Sequence, residues 1–316
     1  MKTLIVDGLN VFIRNFVVVP AMDADGGPVG GVVGFLKGLR NLLSDINPGR
    51  VIVVWDGPGG SRRRRGIFAE YKQGRKVRLN RAYDMESSGD SANNMDAQLK
   101  KLHGLLDQLG VLQIEADDVE ADDVIAFLCK FVLSDDEKVV VSSDRDMLQL
   151  VDDRTLVYSP SKKKYWTSLE MRESMHVLPE NYIYMKAMVG DASDNIAGLG
   201  GIGEKTVAKL FPFLAERPTD LREILAHAEA NKSSGAKYSV VVEQWDRMLE
   251  NVRLMQLSSP IISPQTARSV RLATEQRPKF VFTGFKLELV RHGIASFDQG
   301  FLFPFQALKA RVEATS

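Results

Sequence analysis

Nine carboxylates fall into five short segments of the chain: Asp7, Asp56, Glu120-Ala121-Asp122-Asp123, Asp144-Arg145-Asp146 and Asp191-Ala192-Ser193-Asp194. Each segment taken alone has a plain explanation. An aspartate at a strand end caps the helix that follows, and acids in a first turn complement the helix dipole. Glu120-Ala121-Asp122-Asp123 opens a helix in this way, and the last two segments also read as loop acids. Capping does not explain why so many of them belong to segments that should meet at one sheet edge. Carboxylates brought together raise one another's pKa unless a cation neutralises them. Magnesium suits such a basin, because it takes carboxylate oxygens and retains waters. Two such ions ~4 Å apart would activate a water and stabilise the leaving oxygen of a phosphodiester. The histidines, His103, His176, His227 and His292, show no metal-ligand spacing.

The charges are segregated. The chain is neutral overall, with 41 basic and 41 acidic residues, yet residues 61–81 hold Arg62, Arg63, Arg64, Arg65, Lys72, Arg75, Lys76, Arg78 and Arg81 against the single acid Glu70. Residues 115–123 hold Glu115, Asp117, Asp118, Glu120, Asp122 and Asp123 and no base. The pattern suits a cationic region that attracts an anion beside a pocket that holds cations, or else two solvated faces. Further on, Gly198-Leu199-Gly200-Gly201-Ile202-Gly203 leads into Glu204-Lys205-Thr206-Val207. No β-rich strand precedes these glycines, which argues against a dinucleotide loop. A tight turn between helices fits better, gripping duplex DNA through a helix start whose amides, with Lys205, accept a backbone phosphate.

These residues need elements to position them. Residues 3–6, 51–55, 111–114 and 138–141 are short β-rich runs, and 30–46, 95–109 and 122–133 carry apolar residues at helical spacing. Strands separated by helices predict a mainly parallel sheet, and ligands collect at the carboxyl ends of such strands. Asp7, Asp56 and Asp144 each follow directly on a strand. Residues 156–158 and 165–166 read as a hairpin, and from about 179 the pattern becomes helical. The polar stretch 80–94 reads as a loop or frayed helix over the site, or equally as a plain surface loop.

Composition bounds the setting. Hydrophobic residues at 44% and charged residues at 26% suit a well-cored soluble protein, and the lone Cys129 excludes a disulfide framework. The amino terminus is too soon interrupted by charge for a signal peptide, and no apolar run approaches the roughly 18 residues of a spanning helix. A cytoplasmic, nucleoid-associated protein without membrane contact is expected.

The order of motifs is more specific than any one of them. Val6-Asp7-Gly8 comes first, then the 30–56 stretch with Pro48 and Trp55-Asp56, then Arg64 followed by Tyr71-Lys72 and Arg75. Glu120-Ala121-Asp122-Asp123-Val124-Ile125, Ser143-Asp144-Arg145-Asp146-Met147-Leu148 and Val189-Gly190-Asp191-Ala192-Ser193-Asp194-Asn195-Ile196 follow, the last leading into the glycines. In this order the chain resembles the flap endonuclease family, specifically the bacterial and phage 5′-nucleases and the 5′-nuclease domain of DNA polymerase I. The resemblance runs from Leu4 to about Leu210, more weakly to about His292.

The resemblance implies an α/β fold with a mainly parallel central sheet flanked by helices (PIN-like). A C-terminal helical region would carry a helix-hairpin-helix-like (helix-three-turn-helix) DNA clamp. Residues 1–178 would be the nuclease domain, with a helical arch at about 62–94, and 179–316 the DNA-binding region. Glu120, Asp122, Asp123 and Asp144 would surround one Mg²⁺, and Asp144, Asp146, Asp191 and Asp194 a second, with Asp7 and Asp56 acting directly or through water and Mn²⁺ able to substitute. Lys72 and Arg75 match the family's basic residues at the foot of the arch, placed to touch the scissile phosphate. Arg14, Arg64, Lys205 and Thr206 fall at DNA-binding positions, and Tyr71 is read either as stacking on a terminal base or as packed inside an amphipathic helix. Gly200, Ile202 and Gly203 are the candidates for holding a monovalent cation such as K⁺ through their carbonyls.

Two departures stand out. Glu115-Ala116-Asp117-Asp118 nearly duplicates the Glu120 motif, and the 80–94 stretch is less basic than an arch should be. The chain leaves no room for a polymerase or proofreading domain, so a stand-alone nuclease is expected, cutting DNA with 5′ flaps, nicks or single-strand/double-strand junctions, with RNA–DNA hybrid as a further substrate. Flap or RNA-primer removal in replication, beside a polymerase or single-strand-binding protein, follows from the resemblance. A PIN-like ribonuclease on structured RNA and an inactive branched-DNA-binding protein are the alternatives.

Overall fold

The computed structural model describes residues 1–73, 91–295, 297–298 and 300–314, the side chains of 91–93 excepted. Six strands form one sheet: β1 (Lys2–Asp7), β2 (Arg50–Asp56), β3 (Leu112–Ala116), β4 (Glu137–Val141), β5 (Thr155–Ser159) and β6 (Lys164–Trp166). Their order is β3-β2-β1-β4-β5-β6, parallel throughout except for the β5–β6 hairpin. The strands between the edges are apolar along their length because both faces are covered.

Successive side chains point to opposite faces, and the core divides accordingly. Leu4, Val6, Val51, Val53, Val139 and Val141 face α1 (Gly8–Val18), α2 (Gly30–Ile46) and α4 (Ser91–Leu106), while Ile5, Ile52, Val54 and Val140 face α5 (Ala121–Phe127). Helix α1 was not anticipated. Glycine at its first position and a β-branched, aromatic run disguise it, but Asp7 caps it by accepting the Asn10 amide. Between β2 and α4 lies α3 (Arg62–Ile67), and α5 continues into a π-turn, Leu128–Val132.

After the hairpin come α6 (Ser168–Met175), α7 (Tyr182–Val189), a small antiparallel ribbon of β7 (Gly190–Asp191) and β8 (Ile196–Ala197), then α8 (Glu204–Leu210). Gly190 has φ +80°, and a Cβ there would lie 2.3 Å from the Gly198 nitrogen, so the ribbon can close only on glycine. Helices α9 (Leu221–Ala230), α10 (Ala236–Glu243), α11 (Trp245–Met255) and α12 (Pro264–Glu275) pack on the α5 side of the sheet. The chain then crosses over. Phe280 bridges to Leu109, and α13 (Phe282–Arg291) and α14 (Phe303–Ala314) bury Phe285, Leu289, Phe305 and Leu308 in the core shared with α2 and α4.

Candidate active site

The parallel register brings Asp7, Asp56 and the loop after β4 to one edge. Asp7 lies level with Val54, two residues short of Asp56, and Ser142-Ser143-Asp144 follow directly on Val141, the partner of Val6. A single hydroxyl ties two of the acids together. Ser142 Oγ donates to Asp7 Oδ2 at 2.7 Å and accepts the Asp144 amide at 3.0 Å. Asn10 holds the same loop, its Oδ1 accepting the Ser143 amide at 2.9 Å. Burial, then the charges of Asp56 and Asp144, push the Asp7 carboxyl up to about 7. Burial and Asp144 likewise push Asp122 well above the ordinary carboxylate range.

Asp56 is exposed, and its Oδ1 accepts the Ala121 amide at 2.9 Å, so it caps α5 across space as Asp7 caps α1 locally.

A second group lies beyond Asp144. One oxygen each of Asp146, Asp191 and Asp194 lie within 4.8 Å of one another. Asp144 Oδ1 accepts the Asp146 amide at 2.8 Å, linking the groups. The buried Lys186 ammonium donates to Asp146 and, at 2.6 Å, to Asp191. The two partners respond differently. Asp146 is carried up to about 7 by burial, with Asp144 and Asp191 adding to it against the pull of Lys186. At Asp191 burial also raises the carboxyl, but Lys186 and Ser193 outweigh it and bring it down to about 2. Sequence reasoning passed over Lys186. Its signal was there, a lone charge in the apolar helix Tyr182–Val189.

Lys72 stands between the groups. Its Nζ donates to Glu120 Oε1 at 2.8 Å, its amide donates to the Asp194 carbonyl at 3.2 Å, and its ammonium also feels Asp122. Its φ of 53° lies in the left-handed region, a strain of about 1–3 kcal/mol that persists only where the surroundings demand it. Burial opposes ionisation of Glu120, but Lys72 and Arg64 outweigh it and hold that carboxyl below its usual value.

Several expected site residues lie elsewhere. Asp123 is turned away from the basin, one oxygen taken by Arg64 at 2.6 Å and the other by the Ile261 amide at 3.0 Å. It braces α5 against the C-terminal segment, with both oxygens engaged in that contact. Arg64, expected on DNA, is 4% exposed and donates to Glu120, Asp123 and the Leu254 carbonyl. Its neighbours are also engaged: Arg62 pairs with Asp118 at 2.7 Å, Arg63 reaches the Ile261 carbonyl and Arg65 the Tyr71 carbonyl. Arg64 is the internal brace, whereas Arg62, Arg63 and Arg65 stay exposed and keep a cationic face at the surface. Pairing of Asp118 with Arg62 also settles the register, because Glu120 and Asp122, not the Glu115 motif, face the other acids. Tyr71 is packed: it is 3% exposed and its hydroxyl donates to Glu120 at 3.2 Å, which leaves no face for a base. Arg75 and most of the 80–94 arch lie outside the described residues. Arg14 is exposed on α1, and Lys205 is exposed on α8 with Thr206 beside it, half-buried.

Hard carboxylate oxygens converge here, and burial, with their neighbours' charge added, raises the pKa of several of them, which is the donor set a hard divalent ion suits. The glycine turn does not fit its ion. The Gly203 carbonyl already accepts the Thr206 and Val207 amides, and the Gly200 carbonyl accepts the Lys237 ammonium at 3.3 Å. Of the three carbonyls expected to hold a monovalent cation, Gly203 is doubly engaged, Gly200 shares its oxygen with an ammonium, and among the described residues only buried Ile202 accepts no hydrogen bond.

The acidic basin should make stability depend on pH. A carboxyl whose folded pKa is raised keeps a proton that the unfolded chain has lost, so stability falls as pH rises from near 3.8 to about 7. Glu120 and Asp191 are shifted the other way, and their contribution is complete once pH is above their unfolded values of 4.5 and 3.8, so it does not change between pH 5.5 and 8. In chelator, the melting temperature should be several degrees higher near pH 5.5 than near pH 8, and millimolar Mg²⁺ or Mn²⁺ should recover most of the loss at pH 8. A melting temperature that rises with pH in chelator would contradict the reading.

Comparison with known proteins points the same way. Residues 2–176 match the family model described as 5′-3′ exonuclease, N-terminal resolvase-like domain, and residues 177–277 match 5′-3′ exonuclease, C-terminal SAM fold. DNA polymerase I of Bacillus subtilis is 34% identical over 215 residues, 66% of this chain but 23% of that polymerase. The 5′-3′ exonuclease of Aquifex aeolicus is 31% identical over 213 residues, 66% of this chain and 69% of that protein. The flap endonuclease of bacteriophage T5, solved as a pseudo-enzyme–product complex with DNA and metal ions, superposes with a TM-score of 0.61 at 18% identity, covering 92% of this chain and 98% of that one. Among the described residues no helix is long and apolar enough to cross a membrane.

Proposed function

This chain belongs to the 5′-3′ exonuclease family, and on that premise we propose that it is a structure-specific nuclease that hydrolyses DNA phosphodiesters near 5′ ends and at flaps, nicks and single-strand/double-strand junctions. The observation that carries the reading is the pair of carboxylate groups flanking Lys72. Asp7, Asp122 and Asp144, with Glu120 and Asp56 at the margin, would hold one Mg²⁺. Asp144, Asp146, Asp191 and Asp194 would hold the other, with Mn²⁺ an adequate substitute. When bound, the ions would supply an activated water and a charge partner for the leaving oxygen.

The chain's own groups do the positioning. Ser142 and Asn10 fix the loop that carries Asp144, and Lys186 balances the charge of Asp146 and Asp191. Lys72, at the gap between the groups, takes a non-bridging oxygen of the scissile phosphate, with Arg75 in the same role. Duplex DNA lies across the glycine turn, contacted by Lys205 and Thr206, while Arg14 meets the backbone on the α1 side. Flap and RNA-primer removal in the cytoplasm, on DNA and RNA–DNA hybrid and beside a polymerase or single-strand-binding protein, is the role this chemistry suits.

Cleavage of a labelled 5′-flap substrate should require Mg²⁺ or Mn²⁺ and stop with chelator. Cutting of RNA hairpins alone would support the ribonuclease alternative, and tight flap binding with no cutting in any metal would support the inactive binder. In the same assay Lys72→Ala should slow turnover by about 10²-fold, the cost of losing a donor aimed at developing charge, with a smaller effect on affinity. The reverse order of effects would reduce Lys72 to a phosphate anchor.

A further inference from the structure

The glycine turn that the proposed function lays against duplex DNA carries an internal cation. Lys237, near the start of α10, donates from Nζ to the Gly200 carbonyl at 3.3 Å. The amide of the same Gly200 donates to Gln244 Oε1, just past the end of α10, at 3.1 Å. Both polar groups of one turn residue are therefore clasped by one helix, and the turn and α10 hold each other in register.

Gly201 shows where the ammonium sits. It has φ +66°, and a Cβ built on it would fall 2.4 Å from Lys237 Nζ, so the charge occupies the space that the missing side chain leaves. Gly201, Gly203, Lys205 and Lys237 are all exposed, so the turn and the charge seated in it lie at the surface. A cation bound to the Gly200 carbonyl would share one oxygen with this ammonium and be repelled by it. The Gly203 carbonyl, as described, is satisfied by two amides.

We infer that the Lys237 ammonium, seated in the glycine turn, supplies the fixed positive charge that the turn presents to a duplex phosphate, in place of a bound monovalent cation. The inference rests on the reading that this turn contacts DNA. It makes duplex binding independent of the identity of the monovalent salt, because the charge comes with the chain.

The test is the affinity of the full chain for a labelled 5′-flap duplex, with Ca²⁺ present so that binding is read without turnover. Binding is compared in potassium chloride and in tetramethylammonium chloride at equal ionic strength. The expected result is a wild-type Kd that changes less than about threefold between the salts, and a Lys237→Met variant at least about threefold weaker than wild type in tetramethylammonium. A wild-type loss of threefold or more on withdrawing potassium overturns the inference, and that arm needs no variant. So does a Lys237→Met protein that binds as the wild type does, even if its melting temperature falls, because Lys237 would then merely staple the turn. Absence of flap binding by the wild type in both salts overturns the clamp reading itself, and the inference with it.

Discussion

Asp144→Asn is expected to lower cleavage of a 5′-flap substrate by about 10³-fold or more while leaving affinity for that substrate within about threefold. The size follows from the place of this residue. Its charge is felt by Asp7, Asp122 and Asp146, so it is the acid common to both carboxylate groups. Replacing it with the isosteric amide keeps the acceptor for the Asp146 amide and removes the one charge the two proposed ion sites share. A second effect of opposite sign should accompany the loss. With one charge fewer in a crowded basin, the variant in chelator should melt at a higher temperature than the wild type near pH 8. Reduced activity with reduced stability would mean that Asp144 mainly holds its loop. Unchanged cleavage would remove it from the site.

The second large effect is on folding. Arg64→Met should destabilise the protein by about 3–5 kcal/mol, because it strips the partner from two buried carboxylates, Glu120 and Asp123, and from the Leu254 carbonyl. Asp123 also ties α5 to the segment at Ile261, so the damage should spread to the contact between the sheet and the C-terminal helices. Urea unfolding followed by circular dichroism measures it. Flap affinity at low temperature, where the variant remains folded, should stay near that of the wild type. A variant as stable as its parent but weak on DNA would return Arg64 to the nucleic-acid surface.

Arg64 and Tyr71 show where a motif stops being informative. Their positions in the sequence were identified, but the surface they serve was not. An arginine in a run of four reads as an anion-binding face until its partners are known, and those partners are 56, 59 and 190 residues away. Lys186 is the converse case, unread because a lone lysine in an apolar helix gains meaning only when the chain returns Asp146 and Asp191 to its end.

The sequence by itself determined the strands, their parallel pairing and the edge at which the acids meet. Those depend on local quantities, namely short continuous apolar runs rich in β-branched residues, helices between strands and an acid directly after a strand, and parallel geometry then collects the carboxyl ends without further instruction. Only the tertiary structure decided which acids look inward. Asp122 and Asp123 are adjacent on α5, but one residue rotates a helix by about 100°, which sends the first toward Asp144 and the second to Arg64. Likewise the return of α13 and α14 to the α2–α4 face rests on Phe285, Leu289, Phe305 and Leu308, whose spacing shows that a face is buried but not against what. Local pattern sets each element and its apolar side, whereas the pairing of charges and faces distant along the chain is settled by the packing that satisfies all of them at once.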